Sequence, residues 1–405
     1  MGPAPGTTPN RTPEGSGPPA GGADAVVDAS NRFALDLYSH LRGDPSHGEG
    51  NLFFSPFSLS SALAITYEGA RGTTAGEIRS VFHFPADDAT RRGGFQEISR
   101  GINQRSTRYV LSTANALWAE KTYAFLPGYI NTAREYYGAN ATNMDFVNQP
   151  EPSRQTINRW VEDQTNNRIR DLIPPGVINE LTRLVITNAV YFKGTWVKQF
   201  DVNQTSDEIF TLASGETVPV RMMARTDEDA IFNYTETDSV QVLRMPYASD
   251  GGKQLSMLVI LPKGNHLATV EDTLTLQQLE EWRNALAGQR VRVFVPRFTM
   301  ETKYSLPDTL AAMGMPTAFT LQADLSGMDG TKNLYIRDVI HQAFVEVNEE
   351  GTEAAAATAV VIALKAVQHE EPVPEFRADH PFIIVIQDDD TGTLLVLGRV
   401  MNPAG

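Results

Sequence analysis

The chain of 405 residues contains no cysteine. Disulfides, thiolate nucleophiles and cysteine-bound metals are therefore excluded, and the redox compartment stays open. No apolar run is long enough to span a bilayer. The first residues show no apolar core of a signal peptide. Positive charge is scarce, with 34 Lys and Arg against 49 Asp and Glu, a net charge of −15. That balance argues against non-specific binding to nucleic acid or anionic membranes and favours solubility. Enzyme signatures are missing too: there is no G-x-S-x-G, P-loop, G-x-G-x-x-G or H-E-x-x-H. His369–Glu370–Glu371 runs into Pro372, which a metalloprotease helix cannot hold. Asp388–Asp389–Asp390 lacks EF-hand spacing and reads as a polar turn. The seven histidines do not cluster, so neither metal nor cofactor is expected.

What is present suits a folded chain. Hydrophobic residues make up 41% and charged ones 20%, the balance of globular proteins. The length allows a large core in one or two domains. Residues 1–25 are rich in Pro, Gly, Thr and Ser and read as a disordered tail or linker, leaving one domain over 26–403. Val26, Val27, Phe33, Leu37 and Leu41 recur at helical spacing. Ser58 is placed to cap a helix with Leu59, Leu63 and Tyr67 on its apolar face. Strand character follows at 109–119, a short helix at 127–138 and extended chain at 142–146. The stretch 153–173 reads as a helix with Ile157, Trp160, Val161 and Gln164 on one face, stopped by Pro174 and Pro175. The strongest strand signal of the first half is 184–196. Later runs occupy 218–223, 240–247, 255–262, 291–298 and 336–348. Residues 381–403 read as a hairpin turning at Asp390–Thr391–Gly392. Helices dominate early and strands late, which predicts an α+β fold with mainly antiparallel sheets. Asn-x-Thr triplets at Asn10, Asn140, Asn203 and Asn233 would accept glycans in a secretory host.

One stretch resists a single assignment. Residues 349–366 read EEGTEAAAATAVVIALKA. Its alanines favour helix. Its alternation favours strand. Thr352, Ala354, Ala356, Thr358, Val360, Ile362 and Leu364 share one parity and carry no charge, while Glu353 and Lys365 fall on the other. Such a segment can be helix or loop in one state and strand in another.

EEGTEAAAATAVV resembles the hinge of the serpins, the serine protease inhibitor superfamily, and NLFFSPFSLSSALAITYEGARGTTAGEI and LVITNAVYFKGTW resemble two further serpin segments. The resemblance covers nearly everything after residue 26. It implies three mainly antiparallel sheets, a helix lying across the central one, and an exposed reactive-centre loop at about 349–371 offered to a protease. Counted from the hinge Gly351, the cut bond would be Lys365–Ala366. A count back from Pro381 sets it near Gln368 to Glu370. The hinge count is preferred, because insertion length is what the family mechanism fixes. Lysine before the bond suits trypsin-like enzymes. The apolar VVIAL also offers Val361 and Leu364 to elastase-, subtilisin- or chymotrypsin-like ones.

The resemblance assigns further roles. The hinge comprises Glu349, Glu350, Gly351, Thr352, Glu353 and the small residues Ala354, Ala355, Ala356 and Ala357, as in inhibitory members. Ser55, Ser58, Asn188 and His341 form a polar latch beneath the central sheet. A lone histidine in a strand is otherwise more often a satisfied core residue. Trp196, Arg297 and Glu349 stand where the loop enters the sheet, with a plain surface ion pair as the alternative. The expected partner is a serine protease, held as a covalent acyl complex by a monomer outside the cell, at its surface or in the periplasm, with the cytoplasm as the alternative, and with no nucleic-acid or membrane partner. A non-inhibitory carrier, chaperone or storage protein is the alternative.

Overall fold

The computed structural model describes residues 21–103, 106–352 and 372–404. The first helix, α1 (Gly22–Gly43), buries Val26, Val27, Phe33, Leu37 and Leu41, as their spacing predicts. It begins earlier than the tail boundary at residue 25 allows. Gly22 packs against the helix Asp88–Ile102, where a Cβ on Gly94 would lie 2.3 Å from the Gly22 carbonyl. A glycine-to-glycine approach of this kind leaves no apolar period to read.

Helix α2 (Pro56–Gly69) starts on proline, whose missing N–H is harmless at the first position. Its cap is Ser55 rather than Ser58: the Ser55 Oγ accepts the Ser58 N–H at 3.4 Å. The helix has no polar face to speak of. Ser58, Ser60, Ser61 and Thr66 are buried along with Leu59 and Leu63, which marks a helix running through the interior.

Helix α3 (Pro150–Gln164) is shorter than its sequence suggests. It ends at Gln164, well before Pro174 and Pro175. Asn166 and Asn167 take left-handed backbone, with φ of 51° and 60°. Asparagine tolerates that conformation better than most residues, so the paired asparagines end the helix. The chain beyond still buries Ile169, Leu172 and Ile173.

Among the described residues two further sheets have seven and four strands, and the central sheet has six. Its strands are β1 (Tyr109–Glu120), β2 (Asn140–Met144), β3 (Leu184–Thr195), β4 (Phe298–Ser305), β5 (Ile336–Val347) and β6 (Gly351–Thr352), in the spatial order β4-β5-β6-β3-β1-β2. The apolar run 291–298 is two strands rather than one. Arg292–Pro296 joins a four-stranded sheet, and the chain crosses at Arg297 into β4. Pro296 has no N–H to carry a ladder onward. A seven-stranded sheet contains the C-terminal hairpin Phe382–Asp388 and Leu394–Val400. Its turn passes through Gly392 at a φ of 72°.

The main buried cluster joins the central and seven-stranded sheets, with α2 touching both β3 and Leu394–Val400. On the other face of the central sheet, α3 covers a smaller cluster that includes Trp118, Ile157, Val161 and Ile340.

If the asparagine pair ends α3 by its backbone tolerance, Asn166→Ala should cost about 1 kcal/mol and Asn166→Gly close to nothing. Urea midpoints of the two variants check this; equal losses would contradict it.

Candidate functional site

Strands β3 and β5 pair in parallel, from Leu184 opposite Ile336 to Tyr191 opposite Phe344. Their outer neighbours β1 and β4 pair antiparallel to them. Parallel ladders are slightly weaker per residue; the edge pair β1–β2 is parallel as well, but only the β3–β5 ladder lies in the middle of the sheet. Above Tyr191 the two strands part, and β6 fills the gap. Thr352 faces Val347 on one side and Gly194 on the other. Val347 and Gly194 stand at the same sequence offset as the paired His341 and Asn188. β6 therefore occupies the place where the seam would otherwise close.

A tight turn feeds β6 into this gap. The Asn348 side-chain carbonyl accepts the N–H groups of Glu350 at 3.1 Å and Gly351 at 3.2 Å, a local bond typical of asparagine. Glycine at 351 is demanded by space: a Cβ there would lie 2.0 Å from the Gly194 carbonyl oxygen and 2.8 Å from the Thr195 Cα. Here the glycine supplies closeness of approach.

Aromatic side chains support the wedge. Trp196 stacks on Tyr247 with centroids 4.4 Å apart. Its indole donates to the Asn348 carbonyl at 3.1 Å, and its backbone N–H donates to the Glu350 carbonyl at 2.9 Å. The Tyr247 hydroxyl meets the Thr352 hydroxyl at 2.9 Å. Glu349 is buried, and Thr205 Oγ1 donates to its carboxylate at 2.7 Å. Arg297 approaches the other oxygen at 3.6 Å with its side chain 42% exposed. A solvent-screened pair of that length is worth under about 1 kcal/mol, so Thr205 is the closer anchor.

Lower in the seam, the structure brings Ser55, Ser58, Asn188 and His341 together. The Ser55 backbone N–H donates to His341 Nε2 at 3.1 Å. Nε2 is thus the acceptor, and the proton sits on Nδ1, which donates to the Asn188 side-chain carbonyl. The Asn188 amide donates to Ser58 Oγ at 2.6 Å. The Ser55 hydroxyl donates to the Leu395 carbonyl at 2.6 Å, tying the cluster to the seven-stranded sheet. His341 is fully buried, and desolvation pushes its pKa down to about 3, so the ring is neutral.

A fifth member was missed from sequence. Asn115 pairs with Asn188 across β1 and β3 and accepts from both the Asn188 amide and the Ser58 hydroxyl, the latter at 3.1 Å. Its signal was an amide in the middle of a strand, between two alanines. Thr205 and Tyr247 were missed as well, because each acts through a partner distant in sequence; Asn348 was missed although its bonds to Glu350 and Gly351 are local. The remaining predicted residues, Glu353, Ala354 to Ala357, Val361, Leu364, Lys365 and Ala366, lie outside the described residues.

Comparison with known proteins matches this architecture. The sequence model of the family described as Serpin (serine protease inhibitor) matches residues 28–403. An uncharacterised serpin-like protein of Thermococcus kodakarensis is 43% identical over 379 residues, covering 93% of this chain and 86% of the relative. The leukocyte elastase inhibitor of Bos taurus is 42% identical, covering 93% of this chain and 98% of that protein. The crystal structure of uncleaved ovalbumin superposes with a TM-score of 0.83 at 31% identity, over 94% of this chain and all of that one.

Two outcomes follow from the buried network. His341→Ala or Asn188→Ala strands buried partners and should cost about 2 kcal/mol. Native gels after mild heating should then show polymers; unchanged monomers would contradict the latch. The second outcome concerns pH. Native His341 stays neutral down to about pH 3, whereas an unfolded histidine titrates near 6.5. Only the unfolded state takes up this proton as pH falls below 6.5, so stability present at pH 7 is lost toward pH 3. Between pH 6.5 and 5, the His341 share of that loss is about 2 kcal/mol. Urea unfolding of the wild type and His341→Gln at both pH values should differ by that amount, and parallel losses would contradict it.

Proposed function

The chain belongs to the serpin family, and from that premise we propose that it is a suicide-substrate inhibitor of serine endopeptidases. A protease attacks at Lys365 and forms an acyl-enzyme. The severed loop then inserts between β3 and β5 and drags the bound enzyme to the opposite end of the sheet before water releases it.

The observation that carries this reading is the β6 wedge in the parted seam. Extending its register, Gly351 opposite Thr195 and Thr352 opposite Gly194, would bring Ile362 opposite Leu184 at the foot of β3. The slot then takes residues 352 to 362. Residues 363 to 365 remain as the link to the acylated enzyme, which supports Lys365–Ala366 as the reactive bond. The same register would set Thr358 between Asn188 and His341. Its hydroxyl can both donate and accept, so it can satisfy the two groups that insertion separates. About twelve new backbone hydrogen bonds at about 1 kcal/mol each would supply on the order of 10 kcal/mol. That is comparable with the stability of a whole domain.

The even-numbered set 354, 356, 358, 360 and 362 would enter the core face, the side on which Thr352 meets Tyr247. Alanines at 354 and 356 pass with little clash. This favours inhibition over the carrier, chaperone or storage alternative, which shares the fold but needs no insertable hinge. Lysine at 365 favours trypsin-like targets; cleavage at Val361 or Leu364 by elastase-, subtilisin- or chymotrypsin-like enzymes is the second route.

Mixing the full chain with trypsin and running a denaturing gel tests the proposal. The expected product is a covalent adduct of chain and protease, with mass spectrometry placing the new N-terminus at Ala366. Ala354→Arg should retard insertion and turn most of the inhibitor into cleaved substrate. Clean cleavage of the wild type without adduct would overturn the reading.

A further inference from the structure

The wedge β6 brings Thr352 opposite Gly194 and Val347, with its hydroxyl turned to Tyr247 on the core face. Successive strand residues point to opposite faces. The next residue, Glu353, lies outside the described residues. One further step of the same register would set it opposite Lys193 on β3 and Glu346 on β5, on the face away from Tyr247. Lys193 is half-buried and has no ion pair among the described residues. The strand neighbours beyond, Val110 opposite Lys193 and Thr299 opposite Glu346, carry no charge. Two residues back along each strand, on the same face, Tyr191 and Phe344 close the top of the seam, with ring centroids 6.4 Å apart. A second cation reaches them from the chain beyond α3: the Arg168 guanidinium lies over the Phe344 ring at 5.7 Å. Burial raises the pKa of the Tyr191 phenol and the neighbouring Arg168 works against that rise, so guanidinium and hydroxyl are close. Arg168 directly follows the left-handed pair Asn166 and Asn167, so the turn that ends α3 also carries this cation over the sheet.

We propose that Lys193, Arg168 and Tyr191 form a docking point for the Glu353 carboxylate, and that this contact fixes the register of the loop as insertion begins. Glu353 is the single charged residue from Thr352 to Leu364. An ionised carboxylate only accepts hydrogen bonds, and ammonium, guanidinium and phenol all donate. Bonds between charged partners are the strong ones. A slip of one residue would turn every side chain to the other face of the sheet. It would carry Glu353 to the core side, where an unpaired carboxylate is costly to bury. The docking point thus favours the one register in which Thr358 reaches Asn188 and His341. Glu346 is the opposing charge, one carboxylate against two cations, and restrains the step that they promote. The inference rests on the insertion reading and adds to it the residues that start the process.

The ratio of cleaved chain to covalent adduct, measured on denaturing gels after mixing the full chain with trypsin, tests the docking point. Slower insertion gives water more time to release the enzyme, so R168Q/K193Q should raise that ratio about fivefold. Glu346→Gln should lower it, and the charge-conserving R168K/K193R should stay near the wild type. In a chain that already carries Glu353→Gln, adding R168Q/K193Q should change the ratio no further. An unchanged ratio in R168Q/K193Q would overturn the docking point. An equal rise with and without Glu353→Gln would also overturn it, since the two cations would then act without the carboxylate. A wild type that forms no adduct overturns the insertion reading and this inference together, whereas an adduct whose yield ignores these charges overturns this inference alone.

Discussion

The parallel contact between β3 and β5 is the constraint from which the rest of the molecule takes its form. It is held at mid-height by a neutral imidazole bonded to an amide and wedged at the top by two residues of the following segment. Both devices rely on small, fully paired polar groups. Such groups are secure while every partner is present and costly once one is lost, which makes the seam firm but divisible.

The surroundings serve that seam. Helix α2 is buried on almost all sides, so its serines can reach the back of the sheet: Ser58 bonds to Asn188 and Asn115, and Ser55 bonds to His341 and to Leu395. Opening the seam therefore works against three elements at once, the central sheet, the helix and the seven-stranded sheet. At the upper end, Trp196, Tyr247 and Asn348 fix the turn that introduces β6. The same residues that hold the wedge also define where an inserting strand would start.

Much of this was legible in the sequence, and the failures have physical causes. The α+β class followed from early helical periods and late β-rich runs, and the family from the hinge and two internal segments. Helix α3 was drawn too long because its apolar residues continue past Asn166, where only the backbone changes hand. The start of α1 was hidden because glycines pack without an apolar signature. The run 291–298 looked like one strand because both halves are equally β-rich; the switch of sheet at Arg297 is a tertiary fact. Ser55, Ser58, Asn188 and His341 were found through family likeness, whereas Asn115 required the register of β1 against β3.

On the proposed insertion mechanism the intact chain is held short of its most stable arrangement, and β3 and β5, paired in the intact chain, must part to admit one more strand. The melting temperature of the chain before and after cleavage at Lys365–Ala366 tests it most directly. A large rise on cleavage is the result this account predicts, since the freed segment would complete the sheet. An unchanged or lower melting temperature would contradict it.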